Sequence, residues 1–136
     1  MFARCMRVRS SELAAQDAEH MQRHVHLDQV NLALGRDYVI FGVLFREGRP
    51  WFLVCEEVGD AYPKPHYAGL FELVDARVPP DWQLVLDHVN VGAIALLPRA
   101  WASAPRFMEQ LVDGEPASVA AFEQLKQRLA AWHQAG

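Results

Sequence analysis

Three histidines fall close together near the start of the chain: His20, His24 and His26. Histidines four residues apart share one face of a helix, where two imidazoles can hold a metal ion. A zinc-protease helix would place a glutamate directly after the first histidine, but Met21 and Gln22 stand there. Nothing in the spacing forces a cysteine or carboxylate into place to complete a ligand set. The cluster therefore reads as solvent-facing histidines near a helix end, and no metal is assigned. His88 and His133 are isolated.

Other candidate chemistry is thinner. Ser10, Ser11, Ser103 and Ser118 sit in capping or loop contexts, without a Gly-x-Ser-x-Gly elbow. Cys55 lies inside a strand pattern, where burial raises a thiol pKa and makes it inert. Gly35, Gly42 and Gly48 are scattered and form no phosphate-cradling loop. Carboxylates do gather, at Glu56, Glu57 and Asp60 and again at Glu72 and Asp75, a pattern that reads as a solvated acidic rim. No catalytic residue, metal or cofactor is assigned.

The aromatic residues are the stronger candidates for work. Trp51, Tyr62, His66, Tyr67 and Trp82 are rigid, amphipathic side chains of the kind enriched at binding hot spots, and Glu56, Glu57 and Asp60 adjoin them. Two readings stay open: that these residues contact a partner, or that they fill the core and brace a loop.

The elements that must position them centre on residues 34–82. Tyr38 to Phe45 is apolar on both faces and reads as one strand covered on both sides. Glu47-Gly48 supplies a hairpin turn with a bulge, and Trp51 to Glu56 returns. Pro63 and Pro65 mark a loop or an edge, since proline cannot donate to a ladder. Short strands follow at Phe71–Val74, Trp82–Leu86 and Ala93–Leu97, with a polar turn over Asp87–Gly92. Phe2 to Val8 alternates weakly and can add a strand. Ser10 or Ser11 can cap a helix whose apolar stripe is Ala14, Ala18, Met21 and Val25. Helices are expected after Pro98, broken near Pro105, and after Pro116. In the last of these Phe122, Leu125, Leu129 and Trp132 share a face. The expected architecture is α+β: a small, strongly bent antiparallel sheet or Src-homology-3-like barrel over about residues 34–97, with an N-terminal helix and C-terminal helices packed on it. Residues 1–136 are read as one domain, with a barrel-like core at 34–86 and a helical part at 98–133.

Composition narrows the class. The chain has 136 residues, 51% hydrophobic and 22% charged, with a formal net charge of −4. That length and balance suit one globular domain, and the mild acidity disfavours a nucleic-acid partner recruited by charge. Two cysteines, Cys5 and Cys55, are too few for a disulfide framework; two reduced thiols of a cytoplasmic protein are the favoured reading, and one bridge between them is the alternative. No apolar run reaches the ~18 residues that span a membrane, and the Arg-interleaved start lacks the apolar centre of a signal peptide.

Taken together, Gly35, Tyr38, Val39 and Gly42; Trp51 with Glu56 and Glu57; Tyr62, Pro63 and Tyr67; Leu70, Phe71, Glu72, Asp75 and Arg77; Trp82; and Leu111, Asp113, Gly114 and Glu115 form a pattern. It resembles that of a group of small bacterial proteins of the polymorphic-toxin immunity type. The match covers about two thirds of the length and is weakest before Leu34. The resemblance implies a non-enzymatic inhibitor that binds a cognate protein toxin and occludes its active site, with Glu57, Asp60, Tyr62, His66 and Tyr67 as expected contacts. The alternatives are a general peptide- or protein-binding module, and a small metal-dependent enzyme built on His20, His24 and His26.

Overall fold

A computed structural model of the chain describes residues 1–88 and 92–135. Its strands are β1 (Phe2–Cys5), β2 (Asp37–Val39), β3 (Gly42–Arg46), β4 (Arg49–Val54), β5 (Lys64–Tyr67), β6 (Phe71–Asp75), β7 (Trp82–His88) and β8 (Gly92–Pro98). Its α-helices are α1 (Ala15–His24), α2 (Arg99–Ala102), α3 (Phe107–Val112) and α4 (Pro116–Ala135). Short 3-10 turns at Ser10–Glu12 and Ala68–Leu70 lead into α1 and β6.

The class is α+β, as expected, but the strands do not close into a barrel. They form two antiparallel sheets, a three-stranded one in the order β2-β1-β6 and a five-stranded one in the order β5-β4-β3-β8-β7. The reason lies at Ile40–Phe41. The Ile40 amide donates to the Met1 carbonyl at 3.0 Å, and the very next amide, of Phe41, donates to the Leu53 carbonyl at 2.8 Å. Consecutive amides thus bond toward strands of different sheets, and the run from Tyr38 to Phe45 is two strands joined by a corner at Ile40–Phe41. Gly42 sits just past that corner, where an added Cβ would come within 2.8 Å of Leu97 Cδ2. β1 lies in the middle of the small sheet instead of joining the larger one.

Register assigns the two faces of the five-stranded sheet. Val85, Ala95, Leu44, Trp51 and Tyr67 are cross-strand neighbours in one row, so their side chains share a face. Ala95 and Trp51 are fully buried there, and α1 lies against this face with Met21 and His20 buried. On the other face Phe52 meets Phe71 of β6, with ring centroids 5.6 Å apart. The expected stripe of α4 holds: Phe122, Leu125 and Leu129 are buried, with Phe122 at 5.1 Å from the Phe41 ring. Trp132 is half-buried, and the Arg77 guanidinium stacks over its ring. The buried residues of both sheets and the helices form one continuous cluster. Much of the turn expected over Asp87–Gly92 lies at residues 89–91, outside the described residues.

Candidate functional site

The β3–β4 turn organises one polar cluster. Arg46 pairs with Arg49, leaving Glu47 and Gly48 as a two-residue loop with φ of 52° and 76°. Two left-handed residues make a type I′ turn, so the expected bulge is absent and the hairpin is tight. The turn carries the Glu47 carboxylate over the C-terminal end of α1. Arg23 Nη2 donates to Oε2 at 2.8 Å, and His24 Nε2 donates to Oε1 at 2.9 Å. Hydrogen bonds from Arg23 and then His24 hold the Glu47 carboxyl below its ordinary value.

Beneath this turn lies His20, which is fully buried, against the expectation that it faces solvent, whereas His24 is half-buried and His26 exposed. Trp51 Nε1 donates to His20 Nε2 at 2.9 Å. An indole nitrogen can only donate, so His20 Nε2 is the acceptor and Nδ1 carries the ring proton. That Nδ1–H has no hydrogen-bond partner among the described residues. Burial, then the charge of nearby His24, lowers the His20 pKa. The Tyr67 ring packs 5.1 Å from His20, and its hydroxyl donates to Asp17 Oδ1 at 2.6 Å while Arg49 bonds both Tyr67 Oη and Asp17. Arg46 stacks over Trp51 at 4.7 Å.

His20, His24 and Glu47 bring one ligand atom each within 4.8 Å of one another, so the histidine pair does converge, with Glu47 in place of His26. The arrangement does not fit a cation as it stands. A neutral imidazole has one lone-pair nitrogen, and that of His20 is taken by Trp51. His24 and Arg23 already hold the carboxylate, and Arg46 and Arg49 flank it in the strands. The cluster is a brace that fixes α1 against the β3–β4 hairpin.

The second feature is a pocket of about 260 Å³ between β2, the loop after β4 and α4, lined by Arg36, Tyr38, Phe41, Val58, Lys126 and Ala130 among others. The loop is shaped by Asp60, whose Oδ2 accepts from the Glu57 amide at 3.0 Å and whose carbonyl accepts from Lys126 Nζ at 2.9 Å. Arg36 stacks over Tyr38 at 5.0 Å and approaches Glu57 at 3.8 Å, so the apolar floor carries a rim of both signs. Val58 stands at the mouth, 92% exposed. Cys55 also lines the pocket, and burial pushes its thiol up to about 11, which removes it as a nucleophile at neutral pH.

No family model, curated protein or solved structure matches the chain. Of the five contacts expected from sequence, Glu57 and Asp60 lie on the pocket loop, Glu57 exposed and Asp60 half-buried. Tyr62 is half-buried against the core. His66 and Tyr67 are buried in β5, His66 with Nε2 at 3.2 Å from Glu56 and Tyr67 in the His20 cluster. Trp51 and Trp82 are likewise core residues. Arg36, Val58 and Lys126 were not singled out from the sequence. Only the Gly35 turn before Arg36 and the Val58-Gly59 step offered a local signal there, and Lys126 is far away in the chain.

Proposed function

We propose that this chain is a binding protein of the immunity type, which docks on a cognate bacterial toxin domain in the cytoplasm and covers its active site. The observation that carries this reading is the pocket beside the β4–β5 loop. An apolar floor with a mixed-charge rim suits an anchoring side chain of a protein partner, the arrangement found at interface hot spots. Glu57 at the rim and Val58 at the mouth are free to meet such a partner, while the Asp60–Lys126 contact holds the loop in place before binding. A proposed likeness to Src-homology-3 scaffolds rests on the hairpin and the corner at Ile40–Phe41 only.

The experiment is calorimetry of the purified protein against the toxin domain encoded beside its gene. Native protein should bind and inhibit. Val58→Asp and Ala130→Trp, which charge the mouth and fill the pocket, should weaken binding about a hundredfold while leaving the melting temperature within a few degrees. Absence of binding by the native protein at micromolar concentration would sink the idea. The metal-enzyme alternative built on His20, His24 and His26 is separated by elemental analysis: stoichiometric zinc would promote it, and none would retire it.

A further inference from the structure

The five-stranded sheet ends in two unlike edges. At one, β5 reads Lys64-Pro65-His66-Tyr67, and its lysine and proline are what natural sheets use to discourage further pairing. At the other, β7 runs from Trp82 to His88 and pairs only with β8 among the described residues. From Trp82 to Leu86 it contains no proline, glycine or charged residue.

That bare edge borders an uncovered apolar face. Leu86 is opposite Ile94, Ile94 opposite Phe45, and Phe45 opposite Pro50, so these four side chains form one row across four strands. Leu84 and Leu96 begin the next row on the same face. Exposure rises toward the edge: Val43 and Phe52, farther along Leu84's row, are buried, whereas Leu84 is 63%, Leu86 66% and Ile94 41% exposed. Contiguous apolar surface of this kind marks an interaction site.

We propose that β7 is the two-fold seam of a homodimer, in which a second copy of this chain adds its own β7 antiparallel to the first about Val85. The strand is self-complementary in the way an isologous interface requires. Pairing about Val85 sets Leu84 of one copy against Leu86 of the other, twice, and sets Val85 against itself. Each copy carries a formal charge of −4, yet no charged side chain lies between 82 and 86, so the seam brings no like charges face to face. The outward amides and carbonyls of β7 gain partners, and one sheet runs through both copies. None of these residues lines the pocket assigned to toxin binding, so the two surfaces can be tested separately.

Sedimentation equilibrium of the full chain across the micromolar range should show a species of twice the 15.4 kDa chain mass. Leu84→Lys should weaken dimerisation about tenfold or more by opposing a cation to leucine at both contacts. Leu84 is solvent-facing within one copy, so thermal melting should be unchanged at concentrations where the native chain is also monomeric; Leu84→Gln gives an uncharged control with a smaller loss. Mixing L84K with L86E should restore a dimer, because the two-fold places position 84 against position 86. Mixing L84K with L84E should not. A native protein that stays monomeric, a dimer untouched by L84K, or equal rescue in the two mixtures would each overturn the proposal. A strand of a foreign protein binding β7 of a monomer would do the same.

Discussion

His20 is kept neutral by its surroundings, and the consequences can be measured. Its Nε2 lone pair serves the Trp51 indole, and its ring is closed off from water by His24, Trp51 and Tyr67. His20→Ala leaves a cavity and strands a buried indole N–H. Together these should cost about 3 kcal/mol, read from urea denaturation. Trp51→Phe should then cost about 1 kcal/mol less in that background than in the native chain, since the hydrogen bond is already gone. Histidine burial also sets a pH response. His20, His66 and His133 all have pKa values lowered from the ordinary 6.5, each with burial as the leading cause. For His66 the Glu56 carboxylate opposes the shift, and for His133 the nearby N-terminal amine adds to it. The unfolded chain therefore takes up protons below about pH 6.5 that the folded chain refuses. The share of the stability that these histidines contribute is present above that pH and drains as pH falls through it. The urea midpoint should drop between about pH 7 and pH 5, and His20→Gln should flatten the slope. A midpoint that rises on acidification would reverse the sign.

The β3–β4 hairpin is the element on which the brace depends. Gly48 has φ of 76° with nothing within 4 Å of where a Cβ would stand, so Gly48→Ala isolates the backbone cost. That change should destabilise by about 1 kcal/mol or slightly more. It should also loosen Glu47 from Arg23 and His24, which chemical shifts of the His24 ring would report. The hairpin was legible in the sequence because its information is local: a Glu-Gly pair between two apolar runs. The stripe Phe122, Leu125, Leu129 on α4 was legible for the same reason. What escaped was set by distant partners. Tyr38–Phe45 is apolar on both faces whichever sheet a residue joins, and only the Met1 and Leu53 carbonyls decide that Ile40 and Phe41 part company. The stripe Ala14, Ala18, Met21 and Val25 leaves His20 off the apolar face of α1, and its burial is tolerable only because a tryptophan on β4 supplies a donor. The prolines of 63–67 correctly marked an edge, but they said nothing of His66 and Tyr67 turning inward.

At the scale of the whole molecule, the two thiols report different motions. Cys5 is fully buried in β1, which is paired on both sides, by β2 and β6. The same segment is tied to the rest of the chain: the Met1 carbonyl accepts from Ile40 at the corner, and the Met1 amine lies 2.7 Å from His133 Nε2 on α4. Exposing Cys5 therefore requires stripping a central strand and undoing the contact between the sheets and the last helix, which amounts to global unfolding. Cys55 is half-buried at the pocket, on a loop held chiefly by Asp60 and Lys126, and a local opening suffices to expose it. With a disulfide reagent at mildly alkaline pH, one thiol should react in a slow phase limited by its raised pKa, and the phase should be nearly independent of urea. The other should react far more slowly, with a urea dependence matching the equilibrium m-value of the whole protein. Cys55→Ala should remove the faster phase alone. If the two phases instead shared one urea dependence, the pocket loop would open only with the entire fold, and the surface offered to a partner would be as rigid as the core beneath it.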